Sequence, residues 1–126
     1  MKTITKFVAL AFLALAPLFL TGCGNSPSHV AVKFMEALID CNRQEAKQYG
    51  SIKTNQFLDA AGDNLLNGFR QAKRENVKIT CRAISEQIEG NTALVKLEVT
   101  RAGKVVDQPN VNLTKIDGDW KVEFHK

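Results

Sequence analysis

The chain has 126 residues, with 17 basic and 13 acidic side chains and a formal charge of +4. That length allows one domain with a single modest core and excludes a multidomain enzyme. Two of the basic residues, Lys2 and Lys6, lie in an N-terminal leader that holds no acid, so the residues after position 22 carry +2. This balance gives no support for a nucleic-acid partner.

The leader comes first in the chain. Residues 1–6 are basic, residues 7–19 are almost wholly apolar, and Leu20-Thr21-Gly22 leads into Cys23. A basic start, a short apolar run and a small-residue exit mark a secretory signal peptide. The apolar run is shorter than the roughly 20 residues of a membrane span. Leu-Thr-Gly-Cys at its end resembles the bacterial lipobox. There the cysteine thiol receives a diacylglycerol, the chain is cut before that cysteine, and the new amine is acylated. The resemblance implies a cleaved leader over 1–22, a lipidated Cys23 with a tether over 23–28, and one domain over 29–126. Two or three acyl chains anchor a protein stably in a bilayer. Gly24 follows the cysteine, where the enteric sorting rule places Asp for inner-membrane retention. The expected location is therefore the outer membrane, facing the periplasm.

Two cysteines remain in the domain, Cys41 and Cys81. A periplasmic address permits disulfides, and two thiols allow one bridge. Cys41–Cys81 is the candidate; two buried free thiols are the other reading. No metal site is expected, because the only histidines, His29 and His125, lie at opposite ends of the domain. No cofactor motif is present.

The first helix is expected over about 27–40. Ser26 caps it and Pro27 occupies its first turn, where a missing N–H costs nothing. Val30, Phe34, Ala37, Leu38 and Cys41 share one face. Asn42 with Glu45 forms a capping box for a short second helix ending at Gly50. A third helix is expected over about 54–74, with Phe57, Leu58, Ala61, Leu65, Phe69 and Ala72 as its apolar stripe. Gly62 and Gly68 weaken it and allow a kink. Arg70, Lys73 and Arg74 close it as a solvated end that suits the helix dipole.

From residue 76 the period becomes two. Val77, Ile79, Cys81 and Ala83 alternate with polar residues, and Glu89-Gly90-Asn91 turns the chain. Ala93, Val95, Leu97 and Val99 alternate in a second strand, and Ala102-Gly103 turns again. A third strand is expected over about 104–116, with Val111 and Leu113 inward and Pro109 marking an edge or a bulge. Asp117-Gly118 signals a hairpin. Trp120, Val122 and Phe124 face inward in the last strand, with Lys121, Glu123 and His125 outward. Three N-terminal helices packed on a four-stranded antiparallel meander make an α+β fold.

Two stretches carry a family resemblance. "VAVKFMEALIDCNRQEAKQYGS" (residues 30–51) resembles the opening of nuclear-transport-factor-2-like domains. "KIDGDWKVEF" (residues 115–124) resembles their closing hairpin. With the lipobox, the chain is similar to small bacterial lipoproteins of unknown function in that superfamily. The resemblance implies a cone-shaped fold, a curved sheet wrapped around helices, whose apolar mouth holds a ligand, a catalytic site or only side chains. Ketosteroid isomerases of this superfamily use a carboxylate base and a tyrosine or acid in the cone. Here Tyr49, Asp40, Asp59 and Asp63 match no such motif. Asp40 reads as capping chemistry, Asp59 and Asp63 as solvated helix surface, and Tyr49 as core with an exposed hydroxyl. No Ser-His-Asp set is available.

The expectation is thus a non-catalytic, lipid-anchored envelope module. It takes an envelope protein or a small apolar ligand, and no nucleic acid. An immunity or inhibitor protein is the alternative, and a small isomerase or dehydratase the more distant one.

Overall fold

The computed structural model describes residues 26–124. The leader, Cys23 and His125 lie outside the described residues. Three helices come first: α1 (Pro27–Ile39), α2 (Arg43–Tyr49) and α3 (Ile52–Arg74). Five strands follow: β1 (Ile79–Glu89), β2 (Thr92–Arg101), β3 (Lys104–Asp107), β4 (Asn110–Ile116) and β5 (Asp119–Val122). The sheet is antiparallel in the order β1-β2-β4-β5, and β3 extends the β4 row along β2.

Each helix begins on a side-chain cap. Ser26 accepts from the His29 N–H, Asn42 from Glu45 and Ser51 from Thr54. These bonds satisfy donors that have no partner within the helix. Helix α1 ends in a Schellman turn, with Cys41 N–H donating to the Leu38 carbonyl and Asn42 N–H to the Ala37 carbonyl. Helix α3 ends the same way through Asn76 and Val77. Cys41 and Asn76 occupy the left-handed position of these turns, at φ 60° and 58°, a place that glycine usually fills.

The core joins α1 to the sheet. Phe34 and Leu38 from α1 and Ala46 from α2 meet Val95, Leu97, Leu113, Trp120 and Val122. The third helix runs unbroken through Gly62 and Gly68 and starts two residues earlier than the sequence suggests. Its inner face also differs from the expected stripe: Thr54, Leu58, Gly62, Leu66 and Ala72 are buried. Leu65 is 37% exposed and Phe57 45%. Gly62 turns inward because Arg43 lies across it. A Cβ there would stand 2.8 Å from Arg43 Nε. From this position Arg43 reaches Asp63 at 2.5 Å, and Lys47 reaches Asp59 at 2.8 Å, which ties α2 to α3.

The strand expected over 104–116 divides at Gln108-Pro109. Proline has no N–H for the ladder, but its carbonyl accepts from Leu97 N–H at 2.9 Å. A second irregularity lies in β1, between Ala83 and Ser85. One extra residue there, Ile84, reverses the faces of everything after it. Glu86 therefore stands opposite buried Val95, and Ile88 opposite buried Ala93. Glu86 accepts from the N–H and the hydroxyl of Ser28, at 2.9 and 2.5 Å. A carboxylate at a helix start is favoured by the dipole.

Candidate functional site: an apolar cavity at the mouth of the cone

Near its N-terminus, α3 is held to the sheet by one buried hydroxyl. Thr54 Oγ1 donates to the Val122 carbonyl at 2.7 Å and accepts from the Phe124 N–H at 2.9 Å. Toward its C-terminus the layers part. A cavity of about 580 Å³ opens between α1, the second half of α3 and strands β1 to β4. Its apolar wall comes from Phe34 and Leu38 on α1, Leu65 and Phe69 on α3, and Val106 and Val111 on the sheet. Gly68 also faces it, and a Cβ there would meet nothing within 4 Å.

Phe124 closes the inner corner, edge-on to Phe34 at 5.7 Å and to Phe57 at 5.2 Å between ring centroids. Perpendicular rings are a favoured aromatic geometry, so the corner is a fixed wall. The polar groups of the lining are Arg101, Asp107, Asn110, Asn112 and Glu123. Arg101 leans toward Glu75 at the end of α3, 3.9 Å away. An apolar chamber of this size with a few polar groups has the character of a small-molecule site.

None of the carboxylates weighed from the sequence enters this chamber. Asp40 caps α1. Asp59 pairs with Lys47 on the surface. Asp63 pairs with Arg43 and Arg70, and hydrogen bonds from these two hold its carboxyl below the usual range. Tyr49 packs against the core and adjoins a separate depression with Val30 and Trp120. The two carboxylates that do line the cavity, Asp107 and Glu123, carry no motif. Strand alternation assigned Glu123 outward, and its place at the rim depends on how the chain leaves β5. Two of the three basic residues at the end of α3 are engaged by neighbours: Arg70 reaches Asp63, and Lys73 reaches the Asp40 carbonyl at 3.3 Å.

The bridge between Cys41 and Cys81 is not formed; both are free thiols. Cys41 was expected to close the buried stripe of α1. The Schellman turn instead carries it past the helix end, partly exposed, with its sulfur 3.9 Å from the Ile39 carbonyl. Cys81 sits on β1 in a small depression with Glu36, Ile39 and Asp40. Burial, with a lesser push from Glu36, raises its thiol to about 11. Among the described residues no group of three His, Cys, Asp or Glu side chains is placed to hold a metal ion.

Three helices laid into a bent antiparallel sheet, with an open apolar chamber at one end, define a cone-type α+β module. A solved structure shares this architecture. A Campylobacter jejuni protein that carries the name NTF2-like transpeptidase superimposes with a TM-score of 0.59 at 18% identity, over 80% of this chain and 100% of its own. An NTF2-like protein of unknown function from Cytophaga hutchinsonii aligns at 14% identity with a TM-score of 0.42, over 78% of this chain and 87% of its own. No protein-family model and no curated protein matches the sequence. The fold is the nuclear-transport-factor-2-like cone expected from the two sequence stretches.

Proposed function

We propose that the chain is a non-catalytic, lipid-anchored envelope module that binds a small apolar ligand in the mouth of its cone. The observation that carries this reading is the open chamber itself. Side chains do not fill it, its walls are aromatic and aliphatic, and Gly68 keeps its α3 side clear. The lipid anchor rests on Leu20-Thr21-Gly22-Cys23 behind a basic and apolar leader.

The transpeptidase name belongs to the Campylobacter protein. Acyl transfer of that kind needs a nucleophile activated by a neighbouring base or a lowered pKa. The Cys81 thiol is pushed the other way, to about 11. An isomerase would place its carboxylate base inside the cone, and Asp63, whose carboxyl Arg43 and Arg70 hold low, lies on the outside of α3.

The test is native mass spectrometry of the domain from Gly24 onward, exported to the periplasm without its lipid. The expected spectrum shows a co-purifying apolar molecule on the wild type. Gly68→Leu, which puts a side chain into the open space, keeps the fold by circular dichroism and loses the ligand. A bare wild-type domain that also fails to take up a fluorescent apolar probe sinks the ligand reading.

A further inference from the structure

Helix α1 and strands β1 and β2 run between the same two poles. At one pole lie the start of α1, the β1–β2 turn at Gly90-Asn91 and the β4–β5 turn at Asp117-Gly118. The two turns are joined there, with Lys115 N–H donating to the Asn91 carbonyl at 2.8 Å. At the other pole lie the end of α1, the β2–β3 turn and the cavity, which is lined by Leu38 near the end of α1, Ile79 at the start of β1 and Arg101 at the end of β2. The 13 residues of α1 separate the poles by about 20 Å at about 1.5 Å per residue.

The geometry points to a fixed orientation: the domain stands on the bilayer by the pole that starts α1, and the cavity mouth is directed away from the membrane. This inference rests on the lipid-anchor reading above. Only Gly24 and Asn25 lie between Cys23 and the helix cap Ser26. Three Cα steps of about 3.8 Å reach at most about 11 Å. The start of α1 is in turn pinned to the sheet by the two bonds from Ser28 to Glu86. A lipid on Cys23 therefore brings this pole, and not the mouth, to the headgroups.

The surface at that pole fits such a neighbour. Ile88 is 51% exposed and Ile116 40%, each within two residues of a turn at that pole. Aliphatic side chains of this kind gain from burial at the headgroup–acyl boundary. Lys115 and Lys121 stand beside Asp117 and Asp119, so apolar contact and the short tether set the orientation and net charge does not. The cavity then draws its occupant from the aqueous compartment or from a protein across it, and not directly from the lipid below.

The test uses the full-length protein purified from the membrane. It is reconstituted in phosphatidylethanolamine–phosphatidylglycerol vesicles that carry a spin-labelled lipid. A fluorescent amino acid replaces Ile116 in one variant and Val105, on the mouth side, in another. Intact mass reports the diacylglycerol and acyl additions first. With those present, the spin label is expected to quench the probe at 116 and to leave the probe at 105 at its vesicle-free intensity. Quenching at 105 equal to or above that at 116, or at neither position, overturns the orientation while the anchor stands. A mass without lipid, unchanged by Cys23→Ser, removes the anchor and this inference with it.

Discussion

The two halves of α3 meet the rest of the protein in different ways. The first half is closed. Thr54 is fully buried, its hydroxyl bonded to both Val122 and Phe124, and Leu58 packs directly beneath. The second half is divided: Leu66 and Ala72 stay buried, and the face beside them is open. Leu65, Gly68 and Phe69 look across about 580 Å³ of space toward β3 and β4. One helix, with one amphipathic pattern, thus serves as core along its length and, in its second half, also as cavity wall. Apolar periodicity shows that a face is turned from water. It does not show whether protein or a ligand covers that face.

The contrast is sharpest at two adjacent leucines. Leu66 is 1% exposed and Leu65 37%. Leu66→Ala is expected to cost about 2–5 kcal/mol through lost transfer energy and a residual cavity. Leu65→Ala, on the cavity side, is expected to stay under about 1 kcal/mol and to weaken ligand uptake instead. Urea denaturation of both variants measures this, and equal costs would mean that the Leu65 face is closed after all.

Thr54→Val tests the closure of the first half. It removes a hydroxyl that satisfies the Val122 carbonyl and the Phe124 N–H without changing the shape. The expected loss is about 1–3 kcal/mol: the Phe124 N–H is left unpaired, while the Val122 carbonyl keeps the Ser51 N–H at 2.8 Å. Phe124 should also loosen, which near-ultraviolet dichroism of the aromatic corner would register.

Cys41→Gly places glycine at a left-handed position, φ 60°. Relief of the backbone is expected to stabilise the fold by about 0.5–1 kcal/mol. A loss of stability seen only under oxidising conditions would instead show Cys41 engaged in a bridge.

The smallest effect concerns pH. The folded chain holds the Cys81 proton up to about 11, above the ordinary value of 9.0. Below the ordinary value this thiol contributes its full stability. That contribution is lost as pH rises from about 9 to about 11, because the unfolded chain releases the proton first. The site is only half buried, so solvent screening limits the loss to under about 1 kcal/mol. It is read as the difference in melting temperature between the wild type and Cys81→Ala across that range.

Much of this was legible in the residues. Ser26, Asn42 and the Asp117-Gly118 turn name their structures locally, since caps and tight turns are bonds between near neighbours. The alternation through β2 and β5 placed Val95, Leu97, Trp120 and Val122 correctly. Three features resisted. The bulge at Ile84 sends Glu86 to the inner face, and nothing in "RAISEQ" marks the extra residue. The choice of Leu66 over Leu65 depends on where Arg43 crosses Gly62, a contact 19 residues away in sequence. The free thiols follow from a Schellman turn whose left-handed residue is a cysteine where glycine would have been the readable signal.

By itself the sequence determined the order of helices and strands, the caps and the hairpin turns. Each of these is written in periodicity and short-range chemistry. Only the tertiary structure decided that the mouth is open and that Asp107, Glu123 and Arg101 line it, while the carboxylates singled out from the sequence stay outside. A cavity is the space left where distant elements fail to meet, so its walls come from α1, α3 and four strands with no shared spacing along the chain.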